Sequence, residues 1–133
     1  MLGKESDDID IALDDMYGEE FAKLIDEKIN TGEKKHNFGV IKANSEKSKH
    51  LETATIKVDG HEIDLVNLRS EKYAEDSRVP TVEMGTPEED AMRRDLTFNS
   101  LFYNINEKKV EDFTGKGIDD LRDGICRTPL EPV

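Results

Sequence analysis

A two-residue turn between two alternating stretches is the feature that most constrains the fold of this 133-residue chain. Before the turn, Ala54 and Ile56 alternate with polar residues, and after it Ile63 and Leu65 resume the alternation. Positions 59–60 between them are Asp-Gly, a strong short-range signal for a tight β-hairpin. The pattern therefore predicts two antiparallel strands and, with them, a sheet.

An Asp-x-Asp sequence lies ahead of the hairpin, in a stretch predicted to be a strand over residues 6–13. Because successive strand side chains point to opposite faces, Asp8 and Asp10 would share one face. Two convergent carboxylates suit a hard cation such as Mg²⁺ and the phosphates that it carries. Glu62 and Asp64 share a face of the return strand in the same way. Each pair, taken alone, is also typical of the solvent-exposed face of a strand.

Residues 17–29 predict an amphipathic helix. Its apolar stripe, at a spacing typical of packing against a sheet, comprises Phe21, Leu24, Ile25 and Ile29. The stretch 70–85 lacks a periodic pattern and is expected to be a long loop. A shorter hairpin is expected around residues 106–108, and a brief helix over residues 118–123.

A second long helix is predicted to begin at Thr86, with Pro87 in its first turn and Glu89 closing a capping box. This helix would carry four polar residues, which are Arg93, Arg94, Asp95 and Asn99. Paired arginines favour binding of an anionic nucleotide. The same run is also typical of a surface ion-pair ladder, which contributes little.

Charge and composition limit what the chain can bind. The formal net charge is −12. This charge argues against RNA binding by the chain alone, because Lys and Arg contacts to phosphate dominate nucleic-acid affinity. A content of 35% hydrophobic and 38% charged residues is lean for a self-sufficient core. No run of eighteen apolar residues exists, so no membrane partner is expected.

The motifs together resemble the tRNA nucleotidyltransferases, the CCA-adding enzymes, in their eukaryotic and particularly fungal form. The matching segments are Gly3 with residues 8–12, then 47–55, 66–73, 85–91, 93–99, 110–113 and 117–121. The resemblance implies an α/β (α+β) polymerase-beta-like nucleotidyltransferase head, with a mixed β-sheet and flanking helices. It also implies an enzyme that adds CMP and AMP to the tRNA 3′ end by two-metal nucleotidyl transfer.

The family likeness also implies a role for each candidate residue. Asp8 and Asp10 match the catalytic metal ligands, for Mg²⁺ or alternatively Mn²⁺. A third carboxylate is expected at Glu62 or Asp64, and the choice between them stays open. The nucleotide-binding motif, in which the arginines approach the ribose and triphosphate, comprises Arg93, Arg94, Asp95 and Asn99. A third motif, with a structural role, comprises Asp112, Gly117, Asp120 and Leu121.

The resemblance further implies CTP, ATP and the tRNA 3′ end as partners, with no DNA, and a cytoplasmic location with nuclear and mitochondrial pools. Family members carry a Gly-Gly-x-Val-Arg-Asp motif upstream of the position where this sequence begins. Their nucleotide-selecting motif would follow its last residue. Residues 1–133 are therefore expected to be a truncated catalytic head without neck, body or tail domains, and weakly active or inactive alone.

Two alternatives remain. A poly(A) polymerase of the related bacterial type would share Asp-x-Asp and the Arg-Arg-Asp-x-Thr-x-Asn run, although the fungal-like stretches 47–55 and 66–73 argue against it. The other is a truncated, non-catalytic module that only associates with other chains. The lean core and the two motifs outside the sequence motivate this second hypothesis.

Overall fold

The computed structural model describes residues 3–6, 8–29, 41–42, 54–72 and 81–131. The chain divides into two compact units, Met1–Asn67 and Leu68–Val133, and each is described by itself. Most of the fungal-like stretch 47–55 lies outside the described residues. Within the described ranges, no helix combines the length and apolarity needed to cross a membrane.

The first unit is built on a four-stranded sheet. Its strands are β1 (Ile9–Leu13), β2 (Ile41–Lys42), β3 (Ala54–Val58) and β4 (His61–Asn67). Their order across the sheet is β1-β4-β3-β2, with β1 parallel to β4 and the other neighbours antiparallel. The sheet is therefore mixed, as predicted. The Asp-Gly turn is confirmed too, because Asp59 (φ 51°) and Gly60 (φ 87°) both adopt the left-handed conformation that a tight hairpin requires.

The helix α1 (Gly18–Ile29) covers one face of this sheet. The core that it closes comprises Leu13, Ala22, Ala54, Ile56 and Leu65. A Cβ at Gly18 would lie 3.2 Å from the carbonyl oxygen of Leu65, so glycine permits the close approach of helix to sheet. The predicted stripe was wrong at Leu24, which is 45% exposed. At 3.6 residues per turn, Leu24 points roughly 140° away from the buried line through Gly18 and Ala22.

The second unit consists of short elements. They are β5 (Arg69–Lys72), β6 (Thr81–Met84), α2 (Pro87–Met92), a 3₁₀ turn (Phe98–Ser100), β7 (Phe102–Asn104), β8 (Lys109–Glu111) and α3 (Gly117–Asp123). The predicted hairpin around residues 106–108 is confirmed as β7 paired with β8. The predicted loop over 70–85 was wrong, because β5 and β6 pair across it. This pairing is continued by the backbone N–H of Gly85, which donates to the carbonyl of Leu68 at 2.9 Å.

Helix α2 begins as predicted but ends early. The Thr86 hydroxyl accepts from the Glu89 N–H at 3.2 Å, and the Glu89 carboxylate accepts from the Thr86 N–H at 2.9 Å, which is a complete capping box. The helix ends at Met92, so Arg93 to Asn99 do not continue it. The side chain of Asp95 accepts from the Leu96 N–H at 2.8 Å, and such local bonding competes with a helix. The next N–H, that of Thr97, donates to the carbonyl of Arg127.

Among the described residues of the second unit, most buried side chains are polar. Leu68 and Ala91 are its buried hydrophobic residues in the described ranges, whereas its buried polar ones are Ser70, Asp90, Thr97, Ser100 and Asp120. Buried polar groups persist only where hydrogen bonds satisfy them. The contacts of these residues therefore determine the geometry of the unit.

Candidate functional site

The carboxylates of the first unit meet on two adjacent strands. In the parallel ladder between β1 and β4, Asp10 lies beside Asp64, and residues in register carry their side chains on the same face. Asp8 precedes β1 and is exposed, so it lies at the strand's start rather than within it. Glu62 is exposed, and its partner in register on the neighbouring strand β3 is Lys57.

The carboxylate of Asp64 is fixed, whereas those of Asp8 and Asp10 are not. The Thr55 hydroxyl donates to Oδ1 of Asp64 at 2.7 Å across the β3–β4 pair. Among the described residues, neither Asp8 nor Asp10 makes a side-chain hydrogen bond or ion pair, so their oxygens are available to a hard cation. The same ranges contain no group of three His, Cys, Asp or Glu side chains close enough to hold a metal ion. The donor chemistry fits a divalent cation, and these oxygens would have to converge around it.

In the second unit, one buried carboxylate holds both arginines of the Arg-Arg pair. Asp90, on α2, is 2% exposed. Its Oδ1 accepts from Nε of Arg94 at 2.8 Å, and Nε of Arg93 lies 3.7 Å from Oδ2. Oδ2 also accepts from the backbone N–H of Arg69 on β5 at 2.8 Å. Helix, strand and arginine pair are thus joined at a single side chain.

Arg94 has further contacts. Its guanidinium carbon lies 5.3 Å from the centroid of the Phe102 ring, and Nη1 lies 3.5 Å from the carbonyl oxygen of Asn99. Phe102 in turn packs edge-on against Phe113, at 6.1 Å between centroids. Asp95 and Asn99, predicted to share a helix face, do meet, with Asn99 Nδ2 3.4 Å from Asp95 Oδ1. A turn rather than a helix brings them together.

A pocket of about 790 Å³ lies on this side of the second unit. Arg93 and Arg94 line it, but Asp95 and Asn99 do not. The other lining residues are Ser70, Thr86, Glu88, Glu89, Met92, Thr128, Pro129 and Leu130. The structure therefore divides the predicted nucleotide-binding motif into two arginines that face a pocket and an Asp–Asn pair beside it.

The residues of the predicted third motif lie in α3 and just before it. The Asp112 carboxylate accepts from the Thr114 hydroxyl and from the N–H groups of Gly115 and Ile118, at 2.8, 3.1 and 3.0 Å. Gly117 begins α3, and a Cβ there would lie 2.6 Å from the carbonyl oxygen of Thr97. Leu121 is half-buried. These contacts attach α3 to the 3₁₀ turn.

Asp120 closes this network. It is 1% exposed, and Arg127 donates to it twice, from Nε at 2.8 Å and from Nη2 at 2.6 Å. The Thr97 hydroxyl donates at 2.6 Å. Hydrogen bonds from Arg127 and then from Thr97 hold the pKa of Asp120 below its ordinary value, and Asp120 raises the pKa of Arg127.

Two charged residues of the site were not predicted. Asp90 precedes the arginines by three and four residues, a spacing at which helical side chains meet, so the pattern contained a signal for it. The sequence contained no such spacing signal for Arg127. Its partner Asp120 lies seven residues away, across the C-terminal end of α3, and the contact depends on the chain path after Gly124.

Comparison with known proteins defines the class of this fold. A solved structure described as "The structure of CCA-adding enzyme apo form II" superposes with a TM-score of 0.75, at 26% identity, over 97% of this chain and 28% of that one. The fold is that of a nucleotidyltransferase head. The model of the family "Poly A polymerase head domain" matches residues 1–127, and the chain belongs to that family.

Individual relatives within this family are more specific about the kind of enzyme that the chain resembles. The chain is 57% identical over 135 residues to "CCA tRNA nucleotidyltransferase, mitochondrial" of Saccharomyces cerevisiae, covering 98% of this chain and 25% of the relative. It is 50% identical over 132 residues to "tRNA nucleotidyltransferase cca1" of Schizosaccharomyces pombe, covering 98% and 26%. The chain thus spans about a quarter of the length of these relatives.

Proposed function

We propose that this chain is a catalytic head for the transfer of CMP and AMP to the 3′ end of tRNA. The observation that carries the proposal is the pairing of Asp10 with Asp64 on adjacent parallel strands, with Asp8 at the start of the first. Relatives that cover 98% of the chain and bear the CCA and tRNA nucleotidyltransferase names support this reaction over poly(A) synthesis.

Asp8, Asp10 and Asp64 are the residues that would hold a divalent cation, for which we propose Mg²⁺, with Mn²⁺ as a substitute. Asp64 is preferred to Glu62 because it is in register with Asp10 and is held by Thr55. When bound, such ions neutralise charge on the phosphates and lower the pKa of an attacking hydroxyl. The carboxylates of the chain position the ions on one rigid face of the sheet.

The arginines act on the nucleotide itself. Arg93 and Arg94 line a pocket whose volume suits a ligand of nucleotide size. Guanidinium groups bind phosphate oxygens through paired, charge-assisted hydrogen bonds. Asp95 and Asn99, joined to each other beside the pocket, supply the polar groups proposed to recognise the ribose. Residues 1–133 thus supply cation and nucleotide contacts, and the tRNA would be held by other parts of a longer protein.

The compartment follows from the same proposal. We propose a cytoplasmic location with nuclear and mitochondrial pools, and the name of the S. cerevisiae relative favours the mitochondrial pool. DNA and membranes are not proposed as partners.

The test is to place this chain in the corresponding segment of the S. cerevisiae relative and to measure incorporation of labelled CMP and AMP into a tRNA that lacks its CCA end. We expect Mg²⁺-dependent incorporation by the chimera and little or none by the chain alone. The double variant Asp8→Asn, Asp10→Asn should lose at least about a thousandfold in rate, because it removes the charges that hold the ions.

The matched control is Asp14→Asn with Asp15→Asn, an exposed acidic pair just after β1 that removes the same charge. It should retain activity within about twofold. A folded chimera without incorporation would favour the non-catalytic module. Activity that survived the loss of Asp8 and Asp10 would refute the assignment of the carboxylates.

A further inference from the structure

We infer that Asp90 is a positioning residue, which aims the guanidinium groups of Arg93 and Arg94 at the anionic part of a nucleoside triphosphate in the pocket that they line. This inference rests on the proposed function and adds a residue to it. Asp90 does not line the pocket and would not touch the nucleotide. It would act through the two arginines.

Asp90 is buried. A carboxylate that is 2% exposed has lost its water, and its charge is tolerated only where charge-assisted hydrogen bonds replace that water. Asp90 obtains them from one guanidinium on Oδ1 and one backbone N–H on Oδ2. Both oxygens are in use, so rotation of the carboxylate would break a contact on one side or the other. Its orientation is therefore fixed.

The guanidinium group of Arg94 is held in one direction by its contacts. Asp90 binds Nε, the carbonyl of Asn99 lies near Nη1, and the guanidinium carbon lies over the ring of Phe102. The guanidinium group is therefore restrained at three points, which are Nε, Nη1 and the face over the ring. Within the described part of the chain, Nη2 makes no hydrogen bond, and the side chain is 36% exposed. Asp90 therefore holds the inner edge of the group, while outer N–H donors face the pocket.

The charges around the pocket also require the arginines to be held in place. The Asp90 carboxylate offsets part of the positive charge of the two guanidinium groups. Glu88 and Glu89 also line the pocket and oppose an anion there. An anion is thus bound only if the arginines stand at defined positions, and a buried anchor supplies that preorganisation at no cost on binding.

The test compares the chain with its Asp90→Asn variant, which keeps the shape of the side chain but removes its charge. Two quantities are measured. One is the Kd for CTP and for ATP, by calorimetric titration in the presence of Mg²⁺. The other is the Arg94 Nε–H resonance in ¹⁵N-edited NMR, which reports whether that N–H is held in a hydrogen bond.

We expect Asp90→Asn to weaken both Kd values by between about tenfold and a hundredfold, as a displacement of binding groups by roughly 1 Å can do. The Arg94 Nε–H signal should be resolved and slow to exchange in the parent chain, and lost in the variant. The matched control is Asp112→Asn, which removes a structural carboxylate of the same unit that binds hydroxyl and backbone N–H groups. It should leave the Kd within about twofold and keep the signal.

Three outcomes separate the inference from the proposed function. An unchanged Kd in a folded Asp90→Asn variant overturns the inference while the proposed function stands. An equal loss of affinity in Asp112→Asn also overturns it, since general destabilisation then explains the effect. If the parent chain binds neither nucleotide, the proposed function fails at this pocket, and the Arg94 signal alone decides whether Asp90 positions the arginine: loss in Asp90→Asn supports that role and persistence refutes it.

Discussion

Asp64 and Glu62 lie two residues apart on one strand and share a face, yet their surroundings differ. Asp64 has Asp10 beside it on β1 and Thr55 beside it on β3, and the Thr55 hydroxyl orients it at 2.7 Å. Glu62 lies roughly 6.6 Å farther along the strand and pairs with Lys57. At the scale of single residues, these contacts are the reason why Asp64 rather than Glu62 is proposed as the third carboxylate.

The corresponding prediction concerns Mn²⁺ binding to the chain, followed by electron paramagnetic resonance of free Mn²⁺. Asp64→Asn should raise the Kd by on the order of tenfold, because it removes a charged oxygen ligand. Glu62→Gln is the matched control, since it removes one charge from the same strand, and should change the Kd by less than about twofold. A larger effect of Glu62→Gln would assign the third carboxylate to that residue instead.

The Asp120–Arg127 pair predicts a pH dependence. The pKa of Asp120 is held below its ordinary value of 3.8, chiefly by hydrogen bonds from Arg127 and secondly by that from Thr97. A carboxyl group whose pKa is lower in the folded than in the unfolded state stabilises the fold above the unfolded pKa. That contribution declines as the pH falls below about 4 and is gone below the folded pKa.

We therefore expect the free energy of unfolding of the chain to fall on acidification below about pH 4, and Asp120→Asn to lower it near neutral pH. The variant should show a shallower decline in acid, because it has no proton to take up at this position. Urea unfolding at several pH values measures both. Parallel declines in the two proteins would contradict the assignment.

Among the secondary-structure elements, α3 and the 3₁₀ turn illustrate how closely the short pieces of the second unit approach each other. Gly117, in the first turn of α3, would place a Cβ 2.6 Å from the backbone oxygen of Thr97 and 2.9 Å from Cδ2 of Leu101. The first of these is a backbone atom, which cannot move without breaking the turn. Glycine at this position is therefore required by packing between elements.

Gly117→Ala should accordingly lower the free energy of unfolding by about 1–3 kcal/mol, the usual range for overpacking. Urea denaturation measures it. The control is Lys116→Ala, an exposed neighbour whose side chain makes no cap for α3 and which should change stability by less than about 0.5 kcal/mol. If the two substitutions had equal effects, the close approach of α3 to the turn would be wrong.

For the chain as a whole, charge is the dominant property. A formal net charge of −12 on 133 residues repels a polyanion at long range, whatever the local arrangement of arginines. The two arginines that line the pocket are accompanied there by two glutamates, so even locally the basic surface is small. A nucleotide that carries a divalent cation has much less negative charge than a whole tRNA, so this field repels it less.

The chain alone should therefore bind a tRNA that lacks its CCA end with a Kd weaker than about 10⁻⁴ M near physiological salt. Fluorescence anisotropy of a labelled tRNA measures it. The chimera with the S. cerevisiae relative serves as the comparison and should bind more tightly, since it includes the rest of that longer protein. Micromolar binding by the chain alone, with an affinity that falls steeply as the salt concentration rises, would show that residues 1–133 bind RNA by themselves.

Local chemistry was enough to predict several parts of this protein. The Asp59–Gly60 turn and the capping box at Thr86 follow from short-range backbone preferences, which act over two to four residues and depend little on the rest of the fold. The mixed sheet also agrees with what the sequence predicted. The structural role of the third-motif aspartates stays a prediction, and both Asp112 and Asp120 accept hydrogen bonds within the second unit.

Tertiary structure alone decided the rest, because it depends on contacts between distant parts of the chain. Asp64 lies beside Asp10 only because β1 and β4, 54 residues apart in register, pair in parallel. Helix α2 stops at Met92 because Asp95 and Arg127 offer the backbone other partners. The burial of Asp90 depends on β5, a strand that no periodic pattern in the sequence predicted. The sequence determined which chemical groups are present, and long-range pairing decided which of them meet.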